Sequence, residues 1–175
     1  MPDRRERWRN LLEEAGCSRG VIRHCDAVCD LALRFFVQGI MDREVLTAGA
    51  MLHDIGRGST HGLSHAQVGA AYCRKRGLPE EVVRVVECHI GAGLTADECT
   101  LIRLLPVNCL PVTPEEKAVA NADNLVVGTH VIGIDERLMR VQYLPRRVRK
   151  RHYRLWLEME VFRDCASFFG SAGTG

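Results

Sequence analysis

Between Ser18 and Gln38 the apolar side chains return every three or four positions. Val21, Val28, Leu31 and Phe35 form one line, with Ile22, Cys25, Cys29 and Phe36 beside it. That period belongs to a helix with one buried face. It restricts the chain to folds whose core is built by helices. Residues 4–15 repeat the pattern with Trp8, Leu11 and Leu12, and Gly16 stops that helix. Residues 43–53 are apolar almost all round, which predicts a central, buried helix. Ser64 reads as the N-cap of a helix over 65–75 closed by Gly77, and Pro79-Glu80-Glu81 opens another through about His89. Thr113-Pro114-Glu115-Glu116 starts a helix that carries Val119, Ala122 and Asp123. A polar helix over about 146–168 closes the fold. Residues 95–112 and 125–134 show no clean period, and no strand pair stands out. The expected fold class is all-α. It is a single compact domain over residues 1–169, with a core over about 18–128, a basic helical segment over 135–169 and a disordered tail over 170–175.

Hydrophobic residues make up 46% of the 175 and charged residues 26%, enough apolar material for one core and too much for a disordered or fibrous chain. No stretch approaches the roughly 18 uninterrupted apolar residues of a membrane span. The net charge of +2 is too small to argue by itself for a nucleic-acid or membrane partner. The start, Met1-Pro2-Asp3-Arg4-Arg5-Glu6-Arg7, leads into an amphipathic segment rather than an apolar signal core. The eight cysteines include no Cys-x-x-Cys pair, which excludes a zinc ribbon or a thioredoxin-like motif. They read as small buried hydrophobes in a reducing, cytoplasmic setting.

Six polar residues stand out against this apolar background. His24 lies on the apolar face of its helix, and His53-Asp54 end the most apolar helix. His65 opens a helix, His89 closes one, and Asp123 sits in a half-buried one. Taken singly, His24 is a core histidine with a backbone partner and Asp123 a helix-end residue. Burying all six costs several kcal/mol each unless they are partnered, roughly 2–7 kcal/mol per group, and one metal centre would satisfy them together.

The segment Gly49-Ala50-Met51-Leu52-His53-Asp54-Ile55-Gly56-Arg57 resembles the signature of the HD-domain superfamily of metal-dependent phosphohydrolases, more narrowly its HDIG subgroup. The family's ordered pattern is a His, then His-Asp, further His residues and a final Asp. It falls here on His24, His53-Asp54, His65, His89 and Asp123. The resemblance covers residues 18–128 and implies a compact helical HD-domain fold. It also implies two divalent ions, Fe(II) or Mn(II) first and other divalent ions after them. Asp54 bridges the two ions, His24, His53 and Asp123 complete one site, and His65 and His89 complete the other. The thiolate-free donor set suits iron or manganese. His61 competes with His65 for the second site, and in a Gly-rich loop it could instead touch substrate. Cys25 and Cys88 adjoin ligands, but neighbours on a helix point about 100° apart, so they are set aside.

The implied activity is hydrolysis of a small phosphorylated substrate, a phosphodiester attacked by a metal-bridging hydroxide. Small archaeal HDIG proteins are similar, and one such group opens the 2′,3′-cyclic phosphate of dihydroneopterin, which makes a cyclic phosphoester the favoured substrate. Alternatives are a nucleotide or dinucleoside polyphosphate phosphohydrolase, a dinuclear-iron oxygenase, or a metal- and ligand-binding regulatory module without turnover. Arg57 matches a place where the family carries a Lys or Arg. It either neutralises a phosphate oxygen or caps a helix end at the surface. Residues 137–154 hold eight Lys or Arg, Arg146 and Arg147 among them, and no acid. This run is either a solvated helix face or a rim that attracts a polyanionic substrate. An RNA-binding role has no accompanying motif, and no feature sets an oligomeric state.

Overall fold

The structure is a computed structural model that describes residues 5–170, with side chains described as far as Arg163. Helix α1, Glu6–Glu14, lays Trp8, Leu11 and Leu12 on the core, and Gly16 ends it with φ +87°. Helix α2 spans Arg19–Ala32, with the Ser18 hydroxyl accepting from the Val21 amide. It stops six residues short of the expected Gln38, because the chain tightens into a 3-10 turn at Leu33–Phe35 and leaves the helix at Phe36. Helix α3, Arg43–Leu52, starts where Asp42 accepts from the amides of Glu44 and Val45. It is the buried centre that its composition predicts, packed on α1, on α2 and on two later helices. Those two are α5, Glu80–Cys88, and α7, Pro114–Asn124.

A 3-10 turn at Ile55–Gly58 leads from α3 towards α4, His65–Lys75. The two pass so closely that a Cβ on Gly56 would overlap the His65 carbonyl oxygen. Ser64 does precede α4, but it is no cap. Its backbone is already helical (φ −69°, ψ −10°), which turns the hydroxyl away from the following amides. Residues 95–112, which lack a period, contain a short helix α6, Ala96–Leu101, held by a reciprocal Thr95–Glu98 capping box. Residues 126–131 form the only sheet among the described residues, a hairpin of β1, Val126–Val127, and β2, His130–Val131, turned at Gly128 with φ +63°.

The basic C-terminal segment is two helices, α8, Ile134–Arg140, and α9, Arg146–Gly170. Helix α9 buries His152, Leu155 and Met159, carries Arg146, Arg147, Lys150 and Arg154 outward and turns Arg151 in to the buried Glu98. Gly170, expected in the tail, belongs to α9. Residues 171–175 of that tail lie outside the described ones. Seven cysteines are buried free thiols, and Cys165 lies outside the described side chains. Among the described residues no helix is long and apolar enough to cross a membrane.

Candidate metal centre

Six residues from five segments meet at one end of α3. Asp123 Oδ1 lies 3.0 Å from His24 Nε2 and 3.5 Å from His53 Nε2. Asp54 Oδ1 lies 3.0 Å from His65 Nε2 and 3.6 Å from His89 Nε2. His53 Nε2 stands 3.8 Å from Asp54 Oδ2, and His65 Nε2 is 3.0 Å from His89 Nε2. His53, Asp54, His65 and His89 are buried, while His24 and Asp123 are half-buried. Two sets of donor atoms are mutually close enough to grip an ion: His24, His53 and Asp123, and His53, Asp54 and His89. The second set takes His53 where the sequence expectation placed His65. His65 adjoins that set through Asp54 and His89.

The backbone decides how these rings are used. His24 Nδ1 meets the Gly128 carbonyl at 2.8 Å, and His53 Nδ1 meets Ala50 O at 2.7 Å. His65 Nδ1 meets Gly62 O at 2.7 Å, and His89 Nδ1 meets Val86 O at 2.7 Å. A carbonyl oxygen only accepts, so every Nδ1 carries a proton and every Nε2 of a neutral ring offers a lone pair. The lone pairs therefore face one another and the carboxylates. His53 Nε2 and Asp54 Oδ1 are buried without a well-formed hydrogen bond. Without a cation, the 3.0 Å contacts of His65 Nε2 with His89 Nε2 and with Asp54 Oδ1 need a proton on one Nε2, which makes an imidazolium in the buried centre. Divalent cations among them satisfy all the donors at once, and this second-shell pattern is the usual one for metal-ligating imidazoles. The hairpin that sequence reading missed has a purpose here, since its turn presents the Gly128 carbonyl to His24.

Without a cation among them, the groups hold charge on one another. Burial would lower the His53 imidazole, but Cys25, Asp54 and Asp123 push it well above its ordinary range, and a bound cation would have to displace that proton. Burial would raise the Asp54 carboxyl, but His53, His65 and His89 outweigh it and hold it well below the usual carboxylate range. His24 and His53 do the same for Asp123 against its burial. Burial pushes the His89 imidazole down. Ionised acids and a neutral imidazole are the states that bind a cation. Cys25, set aside by its sequence position, is buried against His53 and interacts with that ring. A weak hint was available, since the position lies on the same apolar face of α2.

Arg57 reaches the centre by a route the sequence did not suggest. Its Nε donates to Asp54 Oδ2 at 2.7 Å. His61 is exposed, with its carbonyl 3.5 Å from Arg57 Nη1. Arg147 is an exposed side chain 3.3 Å from the buried Glu98, and it lines a cavity beside the centre. Arg146 is exposed on the first turn of α9 and does not line that cavity. Sequence reasoning missed Asn124 and Arg137. Asn124 Nδ2 donates to Gly91 O at 2.8 Å, and Arg137 Nη2 donates to Asn124 Oδ1 at 2.6 Å. The place of Asn124, directly after Asp123, was the one available signal.

Known proteins resemble this chain to different extents. The HD domain family matches residues 21–128. An uncharacterised protein of Methanocaldococcus jannaschii is 45% identical over 125 residues, which are 69% of this chain and 74% of that protein. A tRNA (cytidine(56)-2′-O)-methyltransferase of Thermoplasma volcanium is 44% identical over 68% of this chain, and the match spans only 35% of the methyltransferase. A ribonuclease Y of Acidothermus cellulolyticus is 34% identical over 73 residues, 15% of its length. The HD domain of the L. monocytogenes phosphodiesterase PgpH has the same fold, with a TM-score of 0.56 over 95% of this chain and 98% of that domain at 13% identity. With the family match covering more than half of its length, and with an all-helical fold, the chain belongs to the HD-domain superfamily of metal-dependent phosphohydrolases.

Proposed function

We propose that this protein is a phosphodiesterase acting on a small phosphoester, with a cyclic phosphodiester as the favoured substrate. The observation that supports this reading most is the set of four imidazoles, each held through Nδ1 by a carbonyl so that its Nε2 turns towards Asp54 and Asp123. The proposed ligands are His24, His53, Asp54, His65, His89 and Asp123, for two ions of Fe(II) or Mn(II), in keeping with a nitrogen and oxygen donor set. Such ions, when bound, lower the pKa of a shared water and neutralise phosphoryl oxygens. The chain's own part is to hold the donors rigid and Asp54 ionised. Arg57, beside Asp54, is positioned to draw a phosphoryl oxygen towards the same point. His61, Arg146 and Arg147 are proposed substrate contacts at the rim.

A second reading is favoured by the relatives. Both the methyltransferase and the ribonuclease Y carry RNA in their names, and a 2′,3′-cyclic phosphate at an RNA end poses the same bond-breaking problem as a free cyclic phosphate. One panel separates the readings. Protein purified without oxygen and supplied with Fe(II) or Mn(II) is assayed for product from free cyclic phosphodiesters, nucleoside monophosphates, a dinucleoside polyphosphate and a short RNA ending in a cyclic phosphate. Turnover of the free cyclic esters above all others is the expected result. Preference for the RNA end would select the second reading. Protein that holds metal yet turns over none of the panel would remove the phosphodiesterase reading.

A further inference from the structure

Beside the centre, a cavity of about 480 Å³ opens between the chain around Leu63 and Ile90–Leu94 on one side and α6, α8 and the start of α9 on the other. This volume falls within the roughly 300–1,000 Å³ of ordinary small-molecule sites. Three observations tie it to the centre. Leu63 lies two residues before His65, and Ile90 follows His89. Arg137 lines the cavity and interacts electrostatically with Asp123. Asn124 links the two by holding the Gly91 carbonyl with its amide and the Arg137 guanidinium with its oxygen. Neither this cavity nor a larger groove of about 790 Å³ around Trp8, Val45 and Leu78 is lined by any of the six ligand candidates, but the larger groove's lining includes neither Arg137 nor a residue within two positions of one.

The lining has a definite chemistry. Leu63, Leu101, Ile102 and Tyr143 are large apolar side chains left 40–79% exposed, and all four line this one cavity. Such clustering marks a place where something apolar sits. Deeper in, His152 is only 3% exposed, and its Nδ1 has no hydrogen-bond partner. Gly91, at φ +59°, leaves room for this ring, since a Cβ there would stand 3.1 Å from His152 Nε2. Arg137 Nε is likewise buried without a partner. The one acid of the lining, Glu98, is already tied to Arg147 and Arg151. The walls are therefore apolar, two buried polar atoms behind them, His152 Nδ1 and Arg137 Nε, lack partners, and the charge left over is positive. Residues 134–152 supply much of the lining and lie beyond the segment that the family matches.

We infer that this cavity receives a planar heterocyclic group of the phosphoester, with its polar edge at His152 Nδ1, its faces against the apolar walls, and Arg137 beside its phosphate. A saturated apolar group would leave the buried His152 nitrogen unpaired, at a cost of about 1–3 kcal/mol. A bare phosphate would leave the walls wet. Substrate choice is then made by the chain's own α8–α9 segment, and the metal centre supplies only the reaction. This inference rests on the phosphodiesterase reading, and the test separates the two.

The test compares kcat/KM for adenosine 2′,3′-cyclic phosphate with that for ethylene phosphate, which has the same reacting ring and no base. Alongside, calorimetry measures binding of adenosine and of guanosine, which carry no phosphate. Wild-type protein should prefer the nucleotide at least 100-fold, chiefly through KM. Leu144→Trp, which fills the cavity from its rim, should cut that ratio at least tenfold and abolish nucleoside binding. His152→Leu should do the same in protein shown to be folded by circular dichroism. A ratio unmoved by Leu144→Trp, or no nucleoside binding to wild type, overturns the cavity assignment even if ethylene phosphate is hydrolysed. Nucleoside binding lost in Leu144→Trp without hydrolysis of either ester keeps the cavity assignment and overturns the phosphodiesterase reading.

Discussion

Asp54 uses its two oxygens differently: Oδ1 faces His65 and His89, while Oδ2 faces Arg57 and, farther off, His53. A carboxylate so placed can serve two ions and one guanidinium, and Asp54→Ala should leave protein purified without oxygen with metal at background by elemental analysis, and inactive. Metal content equal to wild type would deny Asp54 a place among the ligands. Arg57 holds Asp54 and is proposed to meet the substrate, so Arg57→Ala should keep the metal and lower kcat by about 10–100-fold, the usual cost of losing a group that orients a ligand. His152 gives a residue-scale pH effect. Burial, with Arg137 and Arg151 nearby, pushes its pKa down to about 4 from an ordinary 6.5. The folded state therefore refuses a proton that the unfolded state accepts. The stability this group contributes is complete above pH 6.5 and is lost as pH falls towards 4. Between pH 7 and pH 5 the loss is about 2 kcal/mol. Urea unfolding of wild type and His152→Leu at both pH values should show the variant losing less, and equal losses would mean that the imidazole is accessible to protons.

At the scale of elements, the site depends on places where helices stop. His53 and Asp54 fall just past the end of α3, His65 at the first position of α4 and His89 just past α5. At such ends an imidazole reaches a carbonyl of its own last turn, as His53 does with Ala50 and His89 with Val86. Gly56 lets the 3-10 turn lie against α4 and so sets His65 opposite Asp54. Gly56→Ala should cost at least about 3 kcal/mol, since the obstruction is backbone and cannot rotate away. A denaturation midpoint close to that of wild type would show that the turn can move. The capping box of α6 supports one wall of the cavity, and Thr95→Ala should cost about 1 kcal/mol. Glu98→Ala should cost more, because Glu98 also holds Arg151 at 2.6 Å. The Thr-x-x-Glu signal was present in the sequence, but the segment after it, with Pro106 and Pro111 and no clean period, hid it.

For the whole molecule, the centre is a clasp between parts distant in sequence. It joins α2, the α3–α4 region, the end of α5 and the end of α7. Cations that bind this assembled set and not the unfolded chain must stabilise the fold. At a free concentration one hundred times Kd the gain is about 2.7 kcal/mol. For a chain of this size that raises Tm by roughly 5–10 °C. Calorimetric scans with Mn(II) and with chelator should show this shift in wild type and none in Asp54→Ala. A wild-type Tm indifferent to Mn(II) would mean that the six residues do not act together.

The helical period, the apolar run of 43–53 and the ordered His and Asp residues were all legible in the linear chain, because each is a local pattern read from neighbours within one or two turns. The C-terminal end of α2, the hairpin at 126–131 and the separate helix α8 were not, since long-range packing outweighs weak local preference there. Nor could the chain reveal that Gly128 would fix the ring of His24, or that His152 would lie under Gly91. Those contacts join residues more than sixty positions apart, and only the closing of the core brings such atoms within reach of one another.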